Sequence, residues 1–385
     1  MKVLFIVPDT FLRTIEKTDP FYDPIMRVID EMPGASWRVL LPRKGMTCGY
    51  PQEKIGNYKG FLWCSIWFYR FWRLLNRKTP VWKINYCFGK LIHSLFQKTF
   101  DADLIVTQAG ILATELAGMF PSKRIVDVQH GIIHSTHDGY FTPDARLVEQ
   151  YQFTKNREFW VYGKGYADCF FKHPDNAKDL NGRVHVIGDV LGCLREQMLA
   201  QQTEVTKRNA IVFSLQFTNT TPMSERTEMK AGMETVFQEI EKASLHQQYV
   251  ILLKHHPRYL NSFDLSDWQV RFPWLQITDE QTPLLIRRAK YHVTAYSTTA
   301  FEYAAEGVPT LYVWRERLLE GKTLFLEDYA YPGEGTFDEM VAILADEAQE
   351  NLLSEKVKAW YNAFYTSFTR GNCVKLLRNN EIEEI

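Results

Sequence analysis

Short apolar runs alternate with longer amphipathic stretches along most of the chain, and the two periodicities read as strands and helices in turn. A first series of strands is predicted at residues 3–7, 37–41, 104–107, 125–128 and 159–162, with 184–187 as a late member. The polar stretch 195–209 carries no strand pattern, and a second series follows at 210–213, 249–253, 275–277, 292–295 and 310–313, with helical runs at 227–243 and 283–289 between them. Strands that alternate with helices in this way predict α/β architecture with two open parallel sheets. The expected organisation is a Rossmann-like domain over 1–195, a second over 208–353, and helices over 354–385 that cross back, where Val357, Trp360, Tyr361, Phe364 and Phe368 make one apolar stripe. Residues 54–100 interrupt the first series as an inserted helical pair.

Composition narrows the function classes. With 45 Lys+Arg against 46 Asp+Glu in 385 residues the net charge is -1, which excludes a globally basic nucleic-acid binder and general disorder. The six cysteines form no CxxC pair, so neither a zinc ribbon nor a disulfide framework is predicted and a reducing compartment fits. The apolar run 3–7 is too short for a signal-peptide core and no stretch reaches membrane-spanning length, so the chain reads as cytoplasmic. Charge is concentrated in one place. Residues 54–100 hold nine cations, no Asp and no Glu, interleaved with aromatic residues. Such a segment reads either as an interfacial helix at the inner face of a membrane or as a hairpin packed on its own domain with its cations snorkelling.

Ligands of open α/β sheets bind beyond the carboxyl ends of strands, so chemistry is sought there. The first strand lacks a Gly-x-Gly-x-x-Gly turn and no Walker A sequence occurs, which disfavours nicotinamide, flavin and P-loop nucleotide chemistry. The strand at 249–253 ends in Lys254, His255, His256, Pro257 and Arg258, a cationic cluster suited to phosphate, against the alternative of a packed strand-end histidine. The strand at 292–295 ends in Tyr296, Ser297, Thr298 and Thr299 at a helix start, with Glu302 one turn in. Hydroxyls and backbone N–H groups there suit an anion and Glu302 suits a ribose, although Thr299 and Glu302 also fit a capping box. In the first series, the strand at 125–128 runs into Gln129, His130, Gly131, His134, His137 and Asp138. His130 or Asp138 is the candidate general base, and Gly131 allows close approach to a substrate. A zinc site on the three histidines would need a helix that Gly131 and Gly139 oppose, so no metal is predicted.

The His-Gly turn of the first series, then Lys-x-His-Pro and Ser-Thr-Thr-x-x-Glu-x-x-x-x-Gly-x-Pro in the second, resemble the GT-B glycosyltransferases, which have two Rossmann-like domains facing a central cleft. The pattern is most similar to the bacterial group with His-Pro motifs: sialyltransferases, capsular Kdo transferases and teichoic acid polymerase-like enzymes. The resemblance implies that His256 and Ser297, Thr298 and Thr299 hold the nucleotide phosphate, that Glu302 holds the ribose, and that Gln216 lies near the donor. Lys254 and Arg258 join them on charge grounds. It also implies that His130, with Gln129, Gly131 and His134, faces the acceptor. The expected activity is transfer of a sugar from a nucleotide-sugar donor, with a CMP-linked acidic sugar as one candidate, to a hydroxyl of a bacterial surface glycan or glycolipid, without metal or other cofactor. The rivals are polyol-phosphate transfer from a CDP-polyol, a sugar-nucleotide 2-epimerase and a non-catalytic subunit of an envelope-assembly complex.

Overall fold

The computed structural model describes residues 1–8, 12, 17–131, 133–135, 137, 139–200, 208–215, 223–255, 265–295, 297, 299–313, 329–332 and 335–378. The chain divides into two compact units, the first made of Met1–Leu194 with Tyr365–Ile385 and the second of Arg195–Phe364.

The first unit is built on seven strands: β1 Lys2–Ile6, β2 Ser36–Leu41, β3 Ile55–Asn57, β4 Leu104–Gln108, β5 Arg124–Val128, β6 Arg157–Val161 and β7 Val184–Val186. Their order across the sheet is β3-β2-β1-β4-β5-β6-β7, and every pairing is parallel. Strands covered on both faces are buried without alternation, as β4 and β6 are along their whole length, including the polar residues Thr107, Gln108, Arg157 and Glu158. The three-residue β3 lies inside the segment read as a helical insertion; its Ile-Gly-Asn sequence has neither the length nor the branching that announces a strand.

The insertion itself forms a helical hairpin, Lys59–Leu75 and Val81–Phe96. Phe61, Phe88 and Ile92 pack into the core beside Leu4, Ile6, Ile105 and Ile125. The Phe61 ring meets Phe88, Phe96 and Phe100 at 5.3, 5.5 and 5.0 Å. The second hairpin helix also lies against Ala113–Met119 at very short range: a Cβ on Gly89 would collide with the Glu115 carbonyl, and one on Gly118 with that of Tyr86. Among the described residues no helix is long and apolar enough to cross a membrane.

The second unit has five parallel strands, β8 Ala210–Ser214, β9 Val250–Lys254, β10 Leu275–Thr278, β11 Ala289–Thr294 and β12 Thr310–Tyr312, in the order β10-β9-β8-β11-β12. Its main core joins Ile211, Phe213, Ile251, Leu253 and Val293 to Met233, Phe237 and Trp268 from the covering helices.

The tail differs from expectation. One helix spans Glu347–Phe364 in the second unit and another Arg370–Arg378 in the first, so Phe368 does not share a helix with Val357, Trp360 and Phe364. The segment between them is extended. Its Thr366 N–H donates to the Tyr162 carbonyl (3.1 Å) and its carbonyl accepts from the Asp189 N–H (2.7 Å). Gly188, at φ +99°, makes this approach possible, because a Cβ there would lie 2.6 Å from the Phe368 Cα. Arg124 completes the attachment: it pairs through both ends with Glu158 (2.6 and 2.7 Å) and donates to the carbonyls of Leu376 and Leu377 (3.0 and 3.3 Å).

Candidate functional site

In each sheet the strand order reverses beside the first strand, between β1 and β4 and between β8 and β11, and open α/β sheets bind ligands at the carboxyl ends flanking such a point. In the second unit these ends are Ser214 and Thr294, which are register partners, and Ser214 is also the partner of Lys254 on β9. Lys254, Ser214 and Thr294 therefore stand in a row across three strands, a width of about 10 Å at ordinary strand spacing.

Hydrogen bonds fix the β11 end of this row. Thr294 Oγ1 donates to the Ser214 carbonyl (2.9 Å) and accepts from the Ser297 N–H (3.3 Å), while Ser297 Oγ accepts from the N–H and hydroxyl of Thr299 (3.2 and 2.8 Å). The helix Thr299–Ala305 starts at Thr299 itself. The Thr299 hydroxyl turns back to Ser297, and Thr299 lies inside the helix and not at its cap position. Glu302 sits half-buried in this helix. Lys254 is held at the other end by the Glu280 carbonyl (2.5 Å), and burial lowers its pKa against the opposing pull of Asp279 and Glu280. His255 is lowered as well, by burial first and then by Lys254. His256, Arg258, Thr298 and Gln216 lie outside the described residues.

Underneath the row lies a group that sequence reasoning did not single out. His292 is fully buried, stacks on Tyr303 at 4.0 Å, and places its ring nitrogens 2.8 Å from Ser214 Oγ and 2.9 Å from Thr310 Oγ1. Burial pushes its pKa down to about 3, so it is a neutral ring hydrogen-bonded to Ser214. In sequence it is one polar letter in an apolar strand, and nothing there tells a ligand from a packed ring.

In the first unit, β5 delivers Gln129, His130 and Gly131. Gln129 is committed inside the protein: Oε1 accepts from the Tyr162 N–H (2.8 Å), Nε2 donates to the Gly131 carbonyl (2.8 Å), and its own carbonyl accepts from the Tyr162 hydroxyl (2.5 Å). These bonds brace the turn after β5 that carries His130. Beside Gly131 there is open space, since a Cβ built there meets no atom within 4 Å.

His134 follows, with its ring 5.4 Å from that of His137. The Gly139 N–H donates to His137 Nδ1 (3.0 Å), which leaves the proton of the neutral ring on Nε2. Asp138 lies outside the described residues, and among those described no three His, Cys, Asp or Glu side chains are placed to hold a metal.

A cavity of about 530 Å³ adjoins this turn through Gly139, lined also by Trp82, Asn85, Thr114, Glu115, Tyr151 and Arg157. Arg157, 1% exposed, stacks over the Tyr151 ring at 4.3 Å and reaches Asp127 and Thr114 at 3.4 Å each. Burial raises the Asp127 and Glu115 carboxyls, with Arg157 opposing it in both. Aromatic faces beside hydrogen-bonding groups of both kinds suit a polyhydroxylated ring. Sequence reading missed Arg157 because an arginine opening a strand is expected to be solvated.

Solved structures resemble the chain over its whole length. A UDP co-structure of MnaA from S. aureus matches with a TM-score of 0.60 at 12% identity, covering 100% of this chain and 98% of that one. UDP-GlcNAc 2-epimerase from Neisseria meningitidis, bound to UDP-GlcNAc, matches at 0.53 and 10%, covering 98% and 99%. The wall teichoic acid polymerase TagF matches at 0.54 and 13%, covering 97% and 87%. The chain has the GT-B fold. No protein-family model matches it, and neither does any curated protein.

Proposed function

We propose that the protein is a metal-independent glycosyltransferase that moves a sugar from a pyrimidine-nucleotide donor to a hydroxyl of a glycan or glycolipid acceptor, within the His-Pro group of GT-B enzymes. The observation that carries this reading is the row of Lys254, Ser214 and Thr294 at the reversal of the second sheet, extended by the Ser297 turn. Those residues, with His256, Arg258 and Thr298, take the donor's phosphate, and Glu302 takes the ribose. UDP and UDP-GlcNAc in the structures of similar fold support a pyrimidine nucleotide. The acceptor occupies the first unit, its saccharide in the cavity of Trp82, Tyr151 and Arg157 and its reacting hydroxyl beside His130 and the open flank of Gly131.

The acceptor oxygen forms a bond to the anomeric carbon as the bond from that carbon to the nucleotide phosphate breaks. The phosphate leaves with the electron pair, and the acceptor proton passes to His130 or Asp138. Donors already fixed around the phosphate stabilise this growing charge, each by about 3 kcal/mol.

Thermal-shift titration with CMP, CDP, UDP, GDP and dTDP tests the site. A ligand at a hundred times its dissociation constant adds about 2.7 kcal/mol. One pyrimidine nucleotide is expected to raise Tm in the wild type and not in His256→Ala. No shift with any nucleotide would overturn the reading in favour of a non-catalytic subunit. Product analysis then separates the rivals: an epimer formed without acceptor marks an epimerase, and phosphorus retained in the product marks polyol-phosphate transfer.

A further inference from the structure

The hairpin Lys59–Leu75 and Val81–Phe96 is apolar on two sides, and only one side faces the core. In the first helix Phe61 is buried and Phe68 and Trp72 are half-buried. On the opposite face Trp63, Ile66, Trp67, Phe71 and Leu74 recur at helical spacing with exposures of 56, 48, 61, 59 and 78%. Leu75, Val81, Leu91 and Leu95 extend the exposed set onto the turn and the second helix, at 71, 46, 67 and 74%. A contiguous exposed apolar surface of this kind marks an interaction site.

Charge identifies the occupant. Lys59, Arg70, Arg73, Arg77, Lys78, Lys83, Lys90 and Lys98 lie along the same hairpin, and the span 54–100 has no carboxylate. Arg70 lies over the Trp67 ring at 5.8 Å and Lys90 over the Tyr86 ring at 4.8 Å, so cations and aromatic rings share the surface. A second copy of the chain docked symmetrically would bring like charges together without a countercharge. Nucleic acid would satisfy the cations and leave Ile66, Leu74, Leu75, Leu91 and Leu95 without a partner.

We propose that this face docks on an anionic lipid bilayer, with its indoles and leucines at the boundary between headgroups and acyl chains and its cations among the headgroup phosphates. The close packing at Gly89 and Gly118 holds the hairpin to the domain from behind, so docking needs no rearrangement of the core. The inference does not depend on the sugar chemistry.

Co-sedimentation of the full chain with vesicles tests it, comparing phosphatidylcholine alone with phosphatidylcholine mixed with phosphatidylglycerol. Binding to the anionic vesicles is expected, weakening as salt is raised. The combined variant Trp63→Ser, Trp67→Ser, Phe71→Ser should bind at least about tenfold more weakly with unchanged circular dichroism and Tm, and Lys83→Gln should lose about fivefold. Indole fluorescence should shift to the blue on binding and lose that shift in the combined variant. Absence of binding to anionic vesicles at low salt, or equal binding by the combined variant, overturns the proposal. So does a dimer in sedimentation velocity that the combined variant abolishes, which would make the face a contact between copies.

Discussion

Asp127 and Glu115 in the first unit and His292 in the second are all withdrawn from water, and burial favours the uncharged form of each, yet the consequences for stability run in opposite directions along the pH scale. A carboxyl whose pKa is raised on folding binds its proton more tightly in the folded state, so its contribution is greatest at low pH and declines as pH rises through the raised value. A histidine held near 3 binds its proton more tightly when unfolded, so its contribution is complete above about 6.5 and is lost as pH falls. The first unit also keeps permanent charge within its sheet region, in Arg157 and Arg183, whereas the second buries Arg195 at its first residue and fills the interior of its sheet with His292 as a neutral ring. Two halves of similar architecture thus hold their polar interiors by different means.

The largest expected effect comes from removing a permanent charge. Arg183 donates to the carbonyls of Tyr151, Thr154, Arg157 and Asp179 at 2.7–3.0 Å, and Arg183→Met leaves these acceptors without their donor. A loss of about 3 kcal/mol or more is expected, from the usual worth of hydrogen bonds to charged groups. Hydrogen exchange should show it in peptides of β6 and β7 and not in those of β8 and β9. Equal loss in both would break the contrast between the units.

A second effect sharpens the contrast through pH. Between pH 6.5 and about 3 the unfolded chain binds one more proton at His292, so unfolding free energy of the second unit should fall by up to about 1.4 kcal/mol per pH unit from this residue. His292→Gln should flatten that slope in urea titrations at a series of pH values. An unchanged slope would mean that other groups set the acid limb.

The smallest effect on stability is expected at Gly131, where φ is not positive and no atom lies within 4 Å of an added Cβ. Gly131→Ala should leave Tm within the range of a neutral surface change, about 0.5 kcal/mol. Turnover should nevertheless fall, because the methyl group occupies the flank proposed for the acceptor; wild-type kinetics in the variant would place the acceptor elsewhere.

The strands and the helical pair were legible because periodicity and burial are properties of short windows. β3 was not, since Ile-Gly-Asn is too short to show a period. The break at 365–369 was missed because Phe364 and Phe368 keep helical spacing across it, while the backbone of that segment is drawn away by Tyr162 and Asp189. At the candidate site, Lys254 and Ser297 stand at the strand ends where the sequence pattern places them. Arg157 and His292 were not legible, because what distinguishes them is the company of residues distant in sequence: Tyr151 and Asp127 for the one, Ser214, Tyr303 and Thr310 for the other. The role of Gln129 was misjudged for a related reason, since its amide is claimed by Tyr162, thirty-three positions later.

The return of the chain to its first unit at Tyr365 bears on the order of synthesis. Residues 366–377, which supply the carbonyls for Asp189 and Arg124, leave the ribosome only after the entire second unit has been translated. Until then the nascent first unit lacks these partners for Tyr162, Asp189 and Arg124, and of the Arg124 pairings only that with Glu158 can form. A ribosome stalled anywhere within 195–364 therefore carries an unfinished first unit, so the half that is translated first is the one completed later.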